Sequence, residues 1–132
     1  MVKLIELPKI VDRRGNLSFF ESGNQIPFTI KRTYWIYDVP GGETRGGHAY
    51  RNLHEIVIAL SGSFDVHVES ATGIEVYSLN RSYKALYLPP GSWRSLQNFS
   101  TNSVALVAAS EMYDEKDYIR DYQEFKSFLT HG

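Results

Sequence analysis

GETRGGHAYRNLHEIVIALSG, residues 42–62, is the stretch on which the fold reading turns. Five residues separate Gly42 from His48-Ala49-Tyr50, four more lead to Glu55, and six more to Gly62. Glu55–Leu60 reads as a strand, and Gly62 turns it into a second strand over Ser63–Glu69. In that second strand Phe64, Val66 and Val68 alternate with Asp65, His67 and Glu69, so one face is apolar and the other polar. Alternation also sorts the titratable residues. His48 and Tyr50 share a strand face, while His54 points away from its neighbour Glu55 and reads as structural or interfacial.

Working toward the N-terminus, Leu4–Val11 and Leu17–Glu21 are strand candidates around the turn Asp12-Arg13-Arg14-Gly15-Asn16. Asn24-Gln25-Ile26-Pro27 breaks the second of them. Ile30–Tyr37 is rich in β-branched and aromatic residues, which favour a pleated, half-buried surface, and Pro40-Gly41-Gly42 ends it. Working toward the C-terminus, Ala71-Thr72-Gly73 makes a hairpin into Ile74–Leu79, and Leu86–Leu88 stops at Pro89-Pro90-Gly91. Ser103–Ala109 is a continuous apolar run, as in a buried strand. From Asp117 the period changes: Tyr118, Tyr122, Phe125 and Leu129 fall at helical spacing, with Asp114 or Ser110 as the cap. Many short strands and one terminal helix predict an all-β sandwich or barrel, a single domain over residues 1–132.

Bulk composition narrows the function. A net charge of -1 speaks against a broad basic face for nucleic acid. The absence of cysteine excludes disulfides and thiol nucleophiles. No apolar run approaches the roughly 18 residues that span a bilayer, and MVKLIELPKIVDRRGN lacks the apolar centre of a secretory signal, so a cytoplasmic protein is expected. Nine Tyr, seven Phe and two Trp are enough to pack a β core and also to line a pocket or a subunit interface.

The spacing in residues 42–62 resembles the first metal motif of the cupins, with Tyr50 where the second His belongs. A second cupin motif follows in order: Tyr83, five residues, Pro89-Pro90-Gly91, two residues, Arg94, three residues, Asn98. Here Arg94 takes the place of the last metal ligand. The resemblance implies a double-stranded β-helix, or jelly-roll barrel, with a polar pocket. Metal-binding cupins hold their ion with three His and one Glu, whereas these four slots read His48, Tyr50, Glu55 and Arg94. Only His48 and Glu55 are ordinary ligands, and a cation at Arg94 repels an ion, so no metal and no cofactor are expected. The bland alternative is a satisfied polar network in which His48 hydrogen-bonds Glu55.

Four arginines add to the pocket reading. Arg14 in its tight turn, Arg32, Arg45 and Arg94 are candidates for a phosphate-binding set, because guanidinium meets phosphate in a planar, bidentate way. Arginines and aromatics together suit a diphosphate joined to a base and a sugar. The alternative is four unrelated surface arginines.

Over nearly its whole length the chain resembles the WxcM-like cupin family, whose characterised members are dTDP-sugar 3,4-ketoisomerases of the FdtA and QdtA type. The resemblance rests on Asp12-x-Arg14-Gly15-x-Leu17, Ile30-Lys31-Arg32-x-Tyr34, Arg45-Gly46-x-His48-Ala49, Pro90-x-x-Trp93 with Phe99-Ser100, and Tyr113-Asp114-Glu115-x-Asp117-Tyr118-Ile119-Arg120-x-Tyr122. It implies a metal-free reaction that moves the carbonyl of dTDP-4-keto-6-deoxyglucose from C4 to C3, in deoxyaminosugar biosynthesis for surface polysaccharide. It also implies a homodimer with exchanged N-terminal strands. An aromatic-rich barrel whose leading strand lacks a clear partner in its own chain agrees with such an exchange.

Chemically, a base must take the C3 proton, and cations or donors must hold the enediolate that results. On the resemblance, His48 is the main proton carrier and Tyr50 a second acid or relay. Arg45 and Arg94 hold the enediolate or diphosphate, Arg14 and Arg32 are further binding residues, and Trp93 and Tyr34 shape the pocket. The family's second imidazole is Tyr50 here, and a phenol with an ordinary pKa of about 10 is a poor carbon base unless Arg45 or Arg94 lowers it. This departure opens a second reading, a non-catalytic nucleotide-sugar-binding cupin; a third, a nucleotide-sugar 3,5-epimerase, is implied by the Asp12-x-Arg14-Gly15 turn, which resembles that of the related 3,5-epimerase cupins.

Overall fold

In a computed structural model describing residues 1–131, the strands form two facing five-stranded sheets. The strands are β1 (Lys3–Glu6), β2 (Lys9–Ile10), β3 (Leu17–Ser18), β4 (Arg32–Tyr37), β5 (Arg45–Tyr50), β6 (Glu55–Ser61), β7 (Phe64–Ser70), β8 (Gly73–Leu79), β9 (Lys84–Leu88), β10 (Trp93–Gln97), β11 (Val104–Ala109) and β12 (Tyr118–Ile119). One helix, α1, covers Tyr122–His131. One sheet runs β1-β9-β6-β11-β4 and the other β12-β5-β10-β7-β8, with every pairing antiparallel. This is the jelly-roll architecture expected from the sequence.

Alternation explains how the sheets close on one core. Phe64, Val66 and Val68 of β7 meet Val57 and Ala59 of β6, Leu86 and Leu88 of β9, and Val107 of β11. The first sheet is covered on its other face too: Ile56 and Ile58 pack with Leu7, Ile26, Phe28 and Tyr87 beneath the segment before β4. Burial on both faces is why β6 reads as an uninterrupted apolar run. Gly62 closes the β6–β7 hairpin with φ +68°, and a Cβ there would lie 2.5 Å from Ser100 Oγ and 2.8 Å from Ser103 Cα. Only glycine fits that turn without strain.

Three expectations change. The first strand breaks at Leu7-Pro8 into β1 and β2, and β1 pairs with β9 of its own chain from Lys3↔Tyr87 to Glu6↔Lys84, so the leading strand does have an internal partner. The segment that stands apart is the β2–β3 hairpin, paired as Lys9↔Ser18 and Ile10↔Leu17. The terminal helix begins at Tyr122, five residues later than Asp117. Asp114 caps a single 3₁₀ turn over Glu115–Asp117, and Tyr118-Ile119 then joins the free edge of β5. An edge strand with open hydrogen-bonding groups outcompetes helix extension there. Asp121 starts the helix proper, its carboxylate accepting from Glu124 N at 3.1 Å. No helix among the described residues is long and apolar enough to cross a membrane.

Candidate active site

A cavity of about 580 Å³ opens at one end of the barrel between the two sheets. Its polar wall comes from β4 (Arg32, Tyr34), β5 (Arg45, His48, Tyr50), β6 (Glu55), β10 (Arg94) and β12 (Tyr118). Its floor is apolar, with Val57, Leu96 and Val107 continuing the core.

The pairing of β5 with β10 sets the central geometry. Arg94 stands opposite His48, and a register shift follows at once, with Ser95 opposite Gly46. Gly46 permits this close approach: at φ +96° its missing Cβ would sit 3.0 Å from the Arg94 carbonyl oxygen. Arg94 is 1% exposed and Glu55 2%. The Arg94 guanidinium donates through Nη1 to Glu55 Oε1 and through Nε to the Ser92 carbonyl at 3.0 Å. Tyr34 Oη donates to the other Glu55 oxygen at 3.0 Å. Glu55 is therefore engaged by a guanidinium and a phenol, and His48 does not share it. The alternative His48–Glu55 network does not form, and an Arg94–Glu55–Tyr34 triad stands in its place.

Among the described residues, four buried polar atoms around this triad have no hydrogen-bond partner: His48 Nε2, Tyr50 Oη, Arg94 Nη2 and Arg32 Nη1. All four residues line the cavity. Buried polar groups are normally satisfied, so an acceptor-and-donor-rich ligand is the natural completion of the set. Burial first, then Arg94 and Arg120, holds the His48 imidazole down at about 3, with Glu115 opposing weakly. His48 is thus neutral across the physiological range. The Tyr50 phenol moves the other way: burial, then the Glu55 carboxylate, pushes it up despite Arg94, whose guanidinium lies 5.0 Å from the ring centre. The condition under which Tyr50 could act as a carbon base, a lowering by a neighbouring arginine, is not met: Arg94 does pull the phenol down, but burial and then the Glu55 carboxylate outweigh it.

Two predicted site residues lie elsewhere in this chain. Trp93 packs outside the barrel, 5.5 Å between ring centres from both Tyr122 and Phe125 of α1. The reason is strand alternation: Arg94 points inward, so its neighbour cannot. Arg14 is 84% exposed and paired with Asp12 at 2.8 Å, away from the cavity lining. Of the other candidates, Arg32, Tyr34, Arg45, His48, Tyr50 and Arg94 all line this one cavity. His54, read as structural, bonds Tyr87 Oη through Nδ1 at 2.7 Å.

Tyr118 and Arg120 were not expected at the cavity, and both line it. The signal was present in Tyr118-Ile119-Arg120: Ile119 is fully buried among Ala49 and Phe125, so its two neighbours face the other way. Reading this segment as helix hid that alternation.

The FdtA family, described as WxcM-like, C-terminal, matches residues 1–130. A TDP-4-oxo-6-deoxy-alpha-D-glucose-3,4-oxoisomerase from Aneurinibacillus thermoaerophilus is 40% identical over 128 residues, covering 97% of this chain and 92% of the relative. The crystal structure of the sugar 3,4-ketoisomerase QdtA from Thermoanaerobacterium thermosaccharolyticum, in complex with TDP, superposes with a TM-score of 0.95 at 38% identity, covering 98% of this chain and 94% of that one. The TDP-quinovose 3,4-ketoisomerase WlaRB from Campylobacter jejuni superposes with a TM-score of 0.89 at 40% identity, covering 94% and 95%.

Proposed function

The chain belongs to the FdtA family of WxcM-like proteins, and from that premise we propose that it is a 3,4-ketoisomerase of a TDP-linked 4-keto-6-deoxyhexose. The observation that carries the reading to this chain's own residues is the free, buried Nε2 of a neutral His48, facing a cavity with an unpartnered phenol and two unpartnered guanidinium nitrogens. His48 takes the C3 proton and returns it at C4. Arg94 Nη2 and Arg32 Nη1 donate to the charge that develops on the enediolate oxygens, in a site where burial strengthens such contacts. Arg45, exposed at the mouth, suits the diphosphate, and Tyr34 holds Glu55 in place. Tyr50 serves the sugar oxygens as a hydrogen-bonding relay, since a phenol this hard to ionise does not take a proton from carbon.

Tyr50 also gives the second reading, a nucleotide-sugar-binding cupin without turnover, its specific support. The epimerase alternative has no comparable support: among the described residues the carboxylate nearest at hand, Glu55, is held by Arg94 and Tyr34 and does not pair with His48.

A homodimer with exchanged N-terminal segments is part of the proposal. The β2–β3 hairpin pairs within itself, exposes Ile10, Val11 and Leu17, and carries Arg14 at its turn. A second subunit covers that apolar surface and receives Arg14 near its cavity. Sedimentation as a monomer at micromolar concentration removes this element.

Proton NMR of the purified protein with freshly made TDP-4-keto-6-deoxyglucose in deuterated buffer tests the activity. Carbonyl migration with deuterium entering the ring, both lost in His48→Ala, is the expected result. A bound but unchanged sugar selects the binding-only reading.

A further inference from the structure

The reaction moves two protons, and His48 accounts for one. As the carbonyl passes from C4 to C3, the carbon proton leaves C3 and arrives at C4, while a hydroxyl proton leaves O3 and arrives at O4. No electrons enter or leave the sugar. The oxygen proton needs an acceptor facing O3 and a donor facing O4. A neutral phenol is both at once.

We propose that Tyr118 is a further catalytic residue, forming with Tyr50 a two-phenol bridge that carries the hydroxyl proton from O3 to O4. This inference rests on the ketoisomerase reading. Along the bridge O3–H gives its proton to one phenol oxygen, that phenol gives its own to the second, and the second gives its own to O4. Each phenol ends as it began, and neither becomes a phenolate.

Geometry carries the assignment. His48, Tyr50 and Tyr118 form a closed triangle of rings, with centres 5.0 Å apart for His48–Tyr50, 5.2 Å for His48–Tyr118 and 4.6 Å for Tyr50–Tyr118. All three line the cavity. A sugar edge that offers C3 to His48 Nε2 therefore has both phenols beside it. Among the described residues Tyr50 Oη is buried with no hydrogen-bond partner, leaving it available to the sugar and to Tyr118. Tyr118 is held in place from several directions. Its backbone pairs directly opposite Tyr50 in the β12–β5 ladder. Arg51 donates to its carbonyl at 2.8 Å, and the Asp117 carboxylate before it accepts from Asn52 N at 2.8 Å and Leu53 N at 3.1 Å. Arg120 stacks 4.1 Å from the centre of its ring. A rigid strand edge thus positions the second phenol against the first. The high cost of ionising Tyr50 supports the concerted route, because a buried phenol gives up its proton only while receiving another.

The test compares wild type, Tyr118→Phe, Tyr50→His and the double variant with TDP-4-keto-6-deoxyglucose in deuterated buffer, following deuterium at C3 and carbonyl migration separately. Urea unfolding checks that each variant is folded. Tyr118→Phe is expected to keep deuterium entry at C3 within a few-fold while migration falls by about 100-fold or more, the usual scale of a lost acid–base group. In the Tyr50→His background an imidazole accepts and donates by itself, so adding Tyr118→Phe is expected to cost only a few-fold. Wild-type migration that persists in Tyr118→Phe overturns the bridge and leaves the ketoisomerase reading intact. Exchange and migration falling together in Tyr118→Phe, in both backgrounds, also overturns it, since a merely structural ring behaves that way. A wild-type protein that leaves the sugar unchanged overturns the ketoisomerase reading and the bridge with it.

Discussion

Arg94 stands directly opposite His48 in the β5–β10 ladder, yet its guanidinium is committed to Glu55, so the arginine acts on the imidazole through its charge and not as its partner. This relationship explains why a position that holds a metal ligand in other cupins can carry a cation here. The Glu55 carboxylate compensates the guanidinium, Tyr34 takes the remaining carboxylate oxygen, and one guanidinium nitrogen stays available to the cavity.

The first prediction concerns that pair. Glu55→Ala leaves a fully buried guanidinium uncompensated, and the expected loss is about 3–5 kcal/mol of unfolding free energy. Replacing both partners, as in Glu55→Leu with Arg94→Met, leaves no charge behind and is expected to cost less than Glu55→Ala alone. Urea unfolding of the two variants checks the order. A double variant less stable than Glu55→Ala would mean that the pair contributes more than mutual compensation.

Trp93 supplies the second. It packs on Tyr122 and Phe125 outside the barrel, with no side chain toward the cavity. Trp93 is half-buried, and Trp93→Leu is expected to lower stability by about 1–3 kcal/mol, within the range of ordinary destabilising substitutions, with KM for the sugar nucleotide unchanged. A large rise in KM at unchanged stability would restore Trp93 to the pocket.

These two residues show how far the sequence could be read. Strand alternation, the Gly62 turn and the motif spacing were enough for the barrel and for His48, Tyr50, Glu55 and Arg94 around one cavity. The same alternation, applied to Trp93 beside Arg94, would have excluded Trp93. What sequence could not supply was partnership. Whether Glu55 bonds His48 or Arg94 depends on a register shift between β5 and β10, a long-range fact with no local signal beyond Gly46 and Gly47. Tyr118 stayed hidden because its spacing to Tyr122 fits a helix, while the free edge of β5 that captures it is set by tertiary structure.

Asp117 gives the third prediction. Its Oδ1 accepts from Asn52 N and Asn52 Nδ2, and its Oδ2 from Leu53 N at 3.1 Å, so one carboxylate clamps the β5–β6 connection to the tail. Asp117→Asn keeps one acceptor but turns an amide donor toward another donor. The expected cost is about 1–3 kcal/mol, the penalty for a buried group left unsatisfied. Amide hydrogen exchange should speed up at Asn52 and Leu53 first. Unchanged protection there would show that the connection is held by other contacts.

The last prediction is the pH dependence, and it follows from His48. The imidazole works as a base in its neutral form, and burial with Arg94 and Arg120 keeps its folded pKa at about 3. The free enzyme therefore carries a competent base well below the ordinary histidine value of about 6.5. The Tyr34 and Tyr50 phenols are pushed up, so neither contributes an alkaline limb below about 10. The expected kcat/KM profile shows no limb from these groups between about pH 5.5 and 8.5, since that profile reports free-enzyme ionisations. Stability follows the same shift with a definite sign. Unfolded His48 binds a proton below about 6.5, while the folded imidazole stays neutral down to about 3, so its contribution is full above the unfolded value and is lost as pH falls through that window. Between about pH 7 and pH 4, wild type should therefore lose more stability than His48→Gln, as followed by urea unfolding. An acid limb near 6.5 in kcat/KM, with equal acid sensitivity in the two proteins, would show instead that the imidazole is solvated and protonates in place.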